Sequence, residues 1–522
     1  MACTTPLHDT PTVAELYRSA FRAFGPREAL VGGDVRMRYD ELAATCHRMV
    51  RHFEAIGLKR RDRLVLLASN RPASVAVLIA AHLMGLTCTS LHPLGSEDDQ
   101  AFVLGDVDAN VLVVDVARHA ERGQALASRQ IAAHVLTLGP AAYGTDLLAA
   151  SAAMDPSETA LSVQPEDVLR IVFSGGTTGR PKGIVHLHRT AVTTALQQLA
   201  TWEWPQQIRY LAATPISHAA GSMILTTFLR GGTVFLLDKY NPDDFLALVE
   251  REAINATFMV PTQIYGLLDS PALERYDIGS LELVLYGAAP MAPARLQQAL
   301  ERLGPIFGQV YGQSEAPMTV TYLRRDEHDM ARPHLFASCG RAVAGIQLKL
   351  MDPELREVAP GEVGEICVRG PLLMAGYLNR EEETAQALAG DWLHTGDMAR
   401  MDAEGFIYLV DRAKDMIISG GFNVYSSEVE ACLAQHPGVA VSAVIGVPHA
   451  KWGEAVMAVV VRKEGAAVEA GELTAFVAAR KGSVMAPKSV AFVDTLPLTA
   501  IGKVDKKAIR ATYWRELGRQ IA

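Results

Sequence analysis

Residues 169–183 read Leu-Arg-Ile-Val-Phe-Ser-Gly-Gly-Thr-Thr-Gly-Arg-Pro-Lys-Gly. An apolar, partly β-branched run breaks directly into a turn dense in glycine and threonine. The run predicts a buried strand. Gly175, Gly176, Gly179 and Gly183 let backbone N–H groups approach an anion without Cβ obstruction. Thr177 and Thr178 add hydroxyl donors, and Lys182 adds a point charge. The spacing predicts a phosphate loop between this strand and a following helix, the usual anion-binding context. It does not fit Gly-x-x-x-x-Gly-Lys-[Ser/Thr], which argues against the common kinase and GTPase reading.

Outward from this stretch, short apolar runs alternate with helical patterns. Strand candidates begin at Arg63, Asn110, Arg209, Thr233 and Leu283, and a helix runs from Pro72 to Gly85. The pattern implies an α/β fold: a large N-terminal domain of parallel and mixed sheets covered by helices. Past Gly361 the strands shorten. The charged cluster Asp411-Arg-Ala-Lys-Asp reads as a loop where composition resets. The expected division is 1–410, a hinge at 411–415, and a small mobile α+β domain at 416–522. In that domain, strands are expected at Ala440–Val447 and Ala455–Val461, and a helix from Glu472 to Arg480.

The chain has 522 residues and a net charge of −9, with basic and acidic residues interspersed, so nucleic acid is not an expected partner. The six cysteines are scattered without a Cys-x-x-Cys pair and read as free thiols, which points to the cytoplasm. The most apolar stretch, Ala73 to Leu91, is broken by Ser74, His82, Gly85 and Thr87, and reads as a buried helix and strand. No membrane-spanning segment is expected.

Residues 174–183 resemble the signature of the adenylate-forming superfamily: acyl-CoA synthetases, peptide-synthetase adenylation domains and firefly luciferase. Ser174 and Gly175 stand where the usual form has Thr-Ser. Further matches follow in the family's order. Tyr311-Gly-Gln-Ser-Glu resembles Tyr-Gly-x-Thr-Glu. The resemblance implies that Tyr311 stacks on adenine, that Gly312, Gln313 and Ser314 complete the nucleotide contact, and that Glu315 helps hold Mg²⁺. Gly287-Ala288-Ala289-Pro resembles the adenine-pocket segment. Asp397 of Thr-Gly-Asp and Arg412 resemble the ribose contacts, and Lys414 the hinge residue. Gly420 and Gly421 resemble the lining of a thiol tunnel. Lys503, in Pro497-Leu-Thr-Ala-Ile-Gly-Lys, resembles the lysine that meets the substrate carboxylate and α-phosphate during adenylation.

The resemblance implies ATP, Mg²⁺ and CoA as cofactor and co-substrates, with Lys503, Thr177, Glu315 and His218 as the catalytic set. In Pro215-Ile-Ser-His-Ala-Ala-Gly-Ser-Met, His218 resembles the gate of the acid pocket. No aspartate lies between Thr214 and Leu229 to hold an α-ammonium, and Arg230, the nearest cation, is read as a helix end. The pocket set His218, Met223, Val260, Thr262, Gly287, Ala316 and Met318 is mostly apolar or small, so the expected acid has an uncharged tail: fatty, aryl or alicyclic. The expected reaction is acyl-AMP formation followed by transfer to CoA. Alternatives are loading of a carrier-protein pantetheine, nucleotide binding without turnover, and a luciferase-type oxygenase. A homodimer is the assembly held in view.

Overall fold

The computed structural model describes residues 10–93, 95–174, 181–412, 415–419, 422–449, 453–498 and 504–514. They divide into two compact units. One comprises residues up to 174, 181–347 and 369–391; the other comprises 348–368 and residues from 392 onward.

The first unit holds two mixed sheets. In the nine-stranded sheet, Phe307–Gln313, Leu283–Gly287, Ala256–Met259, Arg209–Ala212, Thr233–Leu236 and Glu28–Gly32 run parallel as neighbours. Antiparallel strands close both edges. In the eight-stranded sheet, Val168–Ser174, Thr87–Ser90, Arg63–Leu67, Val111–Val114 and His134–Thr137 are parallel. The central strands are buried along their length, as Val111–Val114 and Ala256–Met259 are, which explains their unbroken apolar sequence. Pro72 starts a helix that ends at Met84, and Gly85, at φ 78°, supplies the left-handed cap.

The helix expected after the phosphate loop is not its immediate successor. Lys182–Leu187 is a strand paired antiparallel with Val168–Ser174, with Ser174 opposite Lys182; the helix His188–Thr201 comes later. Ile184 is fully buried and Val185 half-buried in that ladder, so β-branched packing decides the conformation here. The two strands therefore form an antiparallel pair. Gly183 is required within it: a Cβ there would sit 2.9 Å from Ile171 and 3.1 Å from Phe173.

In the second unit, Val363–Arg369, Leu393–Met401 and Ile407–Arg412 form an antiparallel sheet. The last strand runs on through Asp411 and Arg412, into the charged cluster expected to be loop. Val439–His449 and Gly453–Arg462 form a long antiparallel pair, and Ala470–Lys481 is a helix, close to the expected bounds. Ser426–Leu433 is a helix whose cap position is Tyr425, not a serine. Ser426 instead accepts from Lys506 at 2.6 Å, and Ser427 donates to the Val410 carbonyl.

Asp167 anchors the strand that leads to the glycine-rich segment. Its buried carboxylate accepts from Arg60 at 2.6 and 2.8 Å, Arg61 at 2.9 Å and the Gln164 N–H at 2.8 Å. Burial alone would raise its pKa; these bonds outweigh it and hold the pKa at about 2. Asp167→Ala is expected to cost roughly 3 kcal/mol, measured as a lowered urea midpoint.

Candidate active site

Four adjacent parallel strands of the nine-stranded sheet end at one edge, and the candidate residues follow those ends. Arg209–Ala212 leads to Ser217 and His218, Ala256–Met259 to Val260 and Thr262, and Leu283–Gly287 to Ala288 and Ala289. Phe307–Gln313 carries Tyr311, Gly312 and Gln313. Ligands in open α/β sheets bind at such carboxyl ends. Close packing fixes the small residues. A Cβ on Gly287 would lie 2.3 Å from the Val310 carbonyl oxygen, and one on Gly312 would lie 2.5 Å from the Met318 nitrogen. Ala288 and Met318 adopt left-handed backbone, at φ 64° and 57°.

Ser314 and Glu315 form the turn between Phe307–Gln313 and Ala316–Leu323. Three contacts hold it. Nε2 of His186 bonds the Ser314 carbonyl at 2.7 Å, the Met374 N–H donates to the Glu315 carbonyl at 2.9 Å, and the Tyr377 hydroxyl donates to Glu315 Oε1 at 2.9 Å. Tyr377 pairs with Ile184, so the short strand Gly376–Tyr377 joins the strand Lys182–Leu187 to this carboxylate. Burial, then Glu315, push the Tyr377 phenol up, keeping it a donor. Lys182 forms an ion pair with Glu383 and lies 5.3 Å from the Tyr377 ring centroid.

His218 caps the helix Ala219–Leu229, its Nδ1 2.7 Å from Ser217 Oγ and its ring edge-on to His92 at 4.9 Å. Burial of the imidazole, then His92, lower its pKa to about 4. Met223 and Ala316 are fully buried, Val260 and Met318 half-buried, and Thr262 exposed. Arg230 is the C-cap of the His218 helix, as expected.

In the second unit, Asp397 is buried on Leu393–Met401 with Arg412 as its partner across the ladder. The turn before Asp397 is latched. Glu365 accepts from the Gly396 N–H at 2.7 Å and bonds His394 Nδ1 at 2.8 Å, while Thr395 donates to the Ile366 carbonyl at 2.7 Å. Gly396, at φ 69°, supplies the left-handed turn. Glu365, Cys367 and His394 lie within 4.8 Å of one another, a metal-like grouping. Burial, then Glu365, push the Cys367 thiol up to about 12, so it is a poor ligand thiolate; hydrogen bonding accounts for the group. Asp402 organises the hairpin end, accepting from the N–H groups of Glu404 and Phe406 at 2.9 Å and from Tyr408 at 3.0 Å.

Gly175, Gly176, Thr177, Thr178, Gly179, Lys414, Gly420, Gly421 and Lys503 lie outside the described residues. Sequence reasoning missed Tyr377, His186, Glu383 and Glu365. Only Glu365 left a signal, a carboxylate inside an apolar strand.

Fold and site define a nucleotide-binding α/β enzyme. The chain belongs to the AMP-binding enzyme family, which it matches over residues 17–378, with the AMP-binding enzyme C-terminal domain over 428–503. It is 43% identical to the medium/long-chain-fatty-acid–CoA ligase FadD8 of Mycobacterium tuberculosis, covering 99% of this chain and 93% of that one. Identity to a feruloyl-CoA synthase of an Amycolatopsis species is 36%, covering 92% and 95%. The amide bond synthetase McbA of Marinactinospora thermotolerans superposes with a TM-score of 0.88 at 32% identity, covering 96% and 100%.

Tyr377→Phe removes one bond to a carboxylate, worth about 1.5 kcal/mol; kcat/KM for ATP in pyrophosphate release should fall about tenfold. Because the folded pKa of His218 lies below its unfolded value of 6.5, the neutral imidazole persists as pH falls. Acid-dependent pyrophosphate release should show no His218 inflection near pH 6.5. An inflection there that vanishes in His218→Ala contradicts this.

Proposed function

We propose that this ATP-dependent acid–CoA ligase acts on a monocarboxylic acid with an uncharged fatty, aryl or alicyclic tail. One observation carries the substrate reading. Apart from His218, whose pKa lies well below neutrality, no residue of the pocket set Met223, Val260, Thr262, Gly287, Ala316 and Met318 can bear a charge. A second carboxylate or an ammonium would find no partner there. The named acids of the relatives, a medium or long fatty acid and a feruloyl group, agree with this.

The substrate carboxylate attacks the α-phosphorus of ATP, forming the acyl–phosphate bond as pyrophosphate leaves. The CoA thiol then attacks the acyl carbon and AMP departs. In this reading Tyr311 and the Gly287–Ala289 segment hold adenine, Gly312–Ser314 complete its wall, and Asp397 with Arg412 hold ribose. Ser174 to Gly179 and Lys182 bind phosphates, Thr177 contacting the leaving pyrophosphate. Lys503 places a cation where charge develops on the α-phosphate. Glu315 fits Mg²⁺: Tyr377 fixes one carboxylate oxygen, and a single carboxylate with substrate phosphates satisfies a hard cation that keeps its waters. Mg²⁺ there would neutralise phosphate charge.

We take 1–410 and 416–522 as the working domains, with Lys414 in the hinge 411–415, and Gly420 and Gly421 lining the thiol path. The five described cysteines are free and buried, which supports a cytoplasmic setting. Among the described residues no helix is long and apolar enough to cross a membrane. A homodimer completes the proposal.

Lys503→Ala should lower acid-dependent pyrophosphate release by more than about 10²-fold while sparing thioester formation from supplied acyl-adenylate. Equal loss of both would count against the assignment. A pyrophosphate-release panel of fatty, aryl, alicyclic, dicarboxylic and α-amino acids, with CoA or a pantetheinylated carrier, tests the rest. A dicarboxylate or amino acid as best substrate overturns the tail reading, and thioester on the carrier alone overturns the acceptor.

A further inference from the structure

The strand that enters the phosphate loop carries an unpaired cation. Strand register sets Arg170 beside Cys88 on Thr87–Ser90 and beside His186 on Lys182–Leu187. Against that part of the sheet, the helices Val13–Phe24, Pro72–Met84 and Ala219–Leu229 contribute to the wall of a cavity of about 90 Å³. Its polar lining comprises Arg170, Tyr17, His82, Cys88, Ser90 and Ser217.

No described residue bonds or ion-pairs with Arg170, and its Nε is buried without a partner, as is Nδ1 of His82. The surrounding titratable groups are neutral at pH 7. Burial lowers His82 and His186 to about 3 and His188 to about 4, and pushes Cys88 up to about 12, with Tyr17 and Cys46 also raised. The nearest buried carboxylate on this strand's approach, Asp167, is already bonded to Arg60 and Arg61. A guanidinium does not shed its proton to escape burial. Arg170 is half-buried, and its charge facing this cavity favours a counter-ion there.

We propose that this cavity is an internal site for a small monovalent anion, with Arg170 as its charge partner and the neutral side chains of Tyr17, His82 and Cys88 as surrounding donors. The volume suits this class. It equals about three waters at ~30 Å³ each, enough for a halide or a one- or two-carbon carboxylate. An acyl chain or a nucleotide would not fit. The site is distinct from the acid pocket: Ile216 and Ser217 line it, but Val260, Gly287, Tyr311, Ala316 and Met318 do not. An anion here would support the underside of the segment that presents His218.

Crystals of the full chain soaked in bromide, with data collected at the bromine edge, test the site. An anomalous peak within about 3.3 Å of Arg170 nitrogen is expected; a cavity holding only water overturns the proposal. Formate competition separates the two anion sources. Loss of the peak shows that the site also takes a small carboxylate, and persistence shows a halide site; either supports an anion. In solution, the melting temperature in chloride should exceed that in gluconate at equal ionic strength by about 3 °C more in the wild type than in Arg170→Met. An equal salt response in both proteins overturns the assignment. If Arg170→Met does not fold, the bromide map decides alone.

Discussion

Parallel pairing that stops at a common edge is the constraint on which the first unit's site depends. Where neighbouring parallel strands end together, the chain must leave the sheet, and its exposed turns crowd into one crevice. The ends at Ala212, Met259, Gly287 and Gln313 do this side by side. The residues that follow need no further device to come near one another, though they are drawn from a span of about a hundred positions. What they do need is tight backbone, and this is why Gly287 and Gly312 admit no side chain.

Much of this was legible in the sequence because its signals are local. Runs such as Val111–Val114 declare a doubly covered strand by composition, and Pro72 with Gly85 brackets a helix by backbone chemistry. The misreadings arose where a distant neighbour decides. Lys182–Leu187 becomes a strand because Val168–Ser174 lies beside it, which glycine spacing does not reveal. Ser426 is of a residue type that caps helices, but Lys506, eighty positions away, takes its oxygen. Tyr377 was invisible for the same reason: its importance rests on Glu315, and nothing in Gly376-Tyr377-Leu378 announces that contact.

The polar groups sort into two kinds of order. Around Glu315 and Gly396, hydrogen bonds fix backbone turns, and burial more than charge displaces Tyr377 and His186 from their ordinary ranges. Two buried histidines serve as neutral hydrogen-bonding rings. His186 and His328 each hold a carbonyl while burial keeps them unprotonated.

The Asp397 ladder holds a measure of length. From Met401 opposite Ile407 the pairing descends in step to Ala399 opposite Leu409, then slips by one, so that Met398 meets Asp411 and Asp397 meets Arg412. Without that slip Asp397 would pair with Asp411 in the ladder. The hairpin thus works as a ruler with an offset. Its zero mark is the Asp402 turn, and the single extra residue is the calibration that brings Arg412, not Asp411, to the position opposite Asp397.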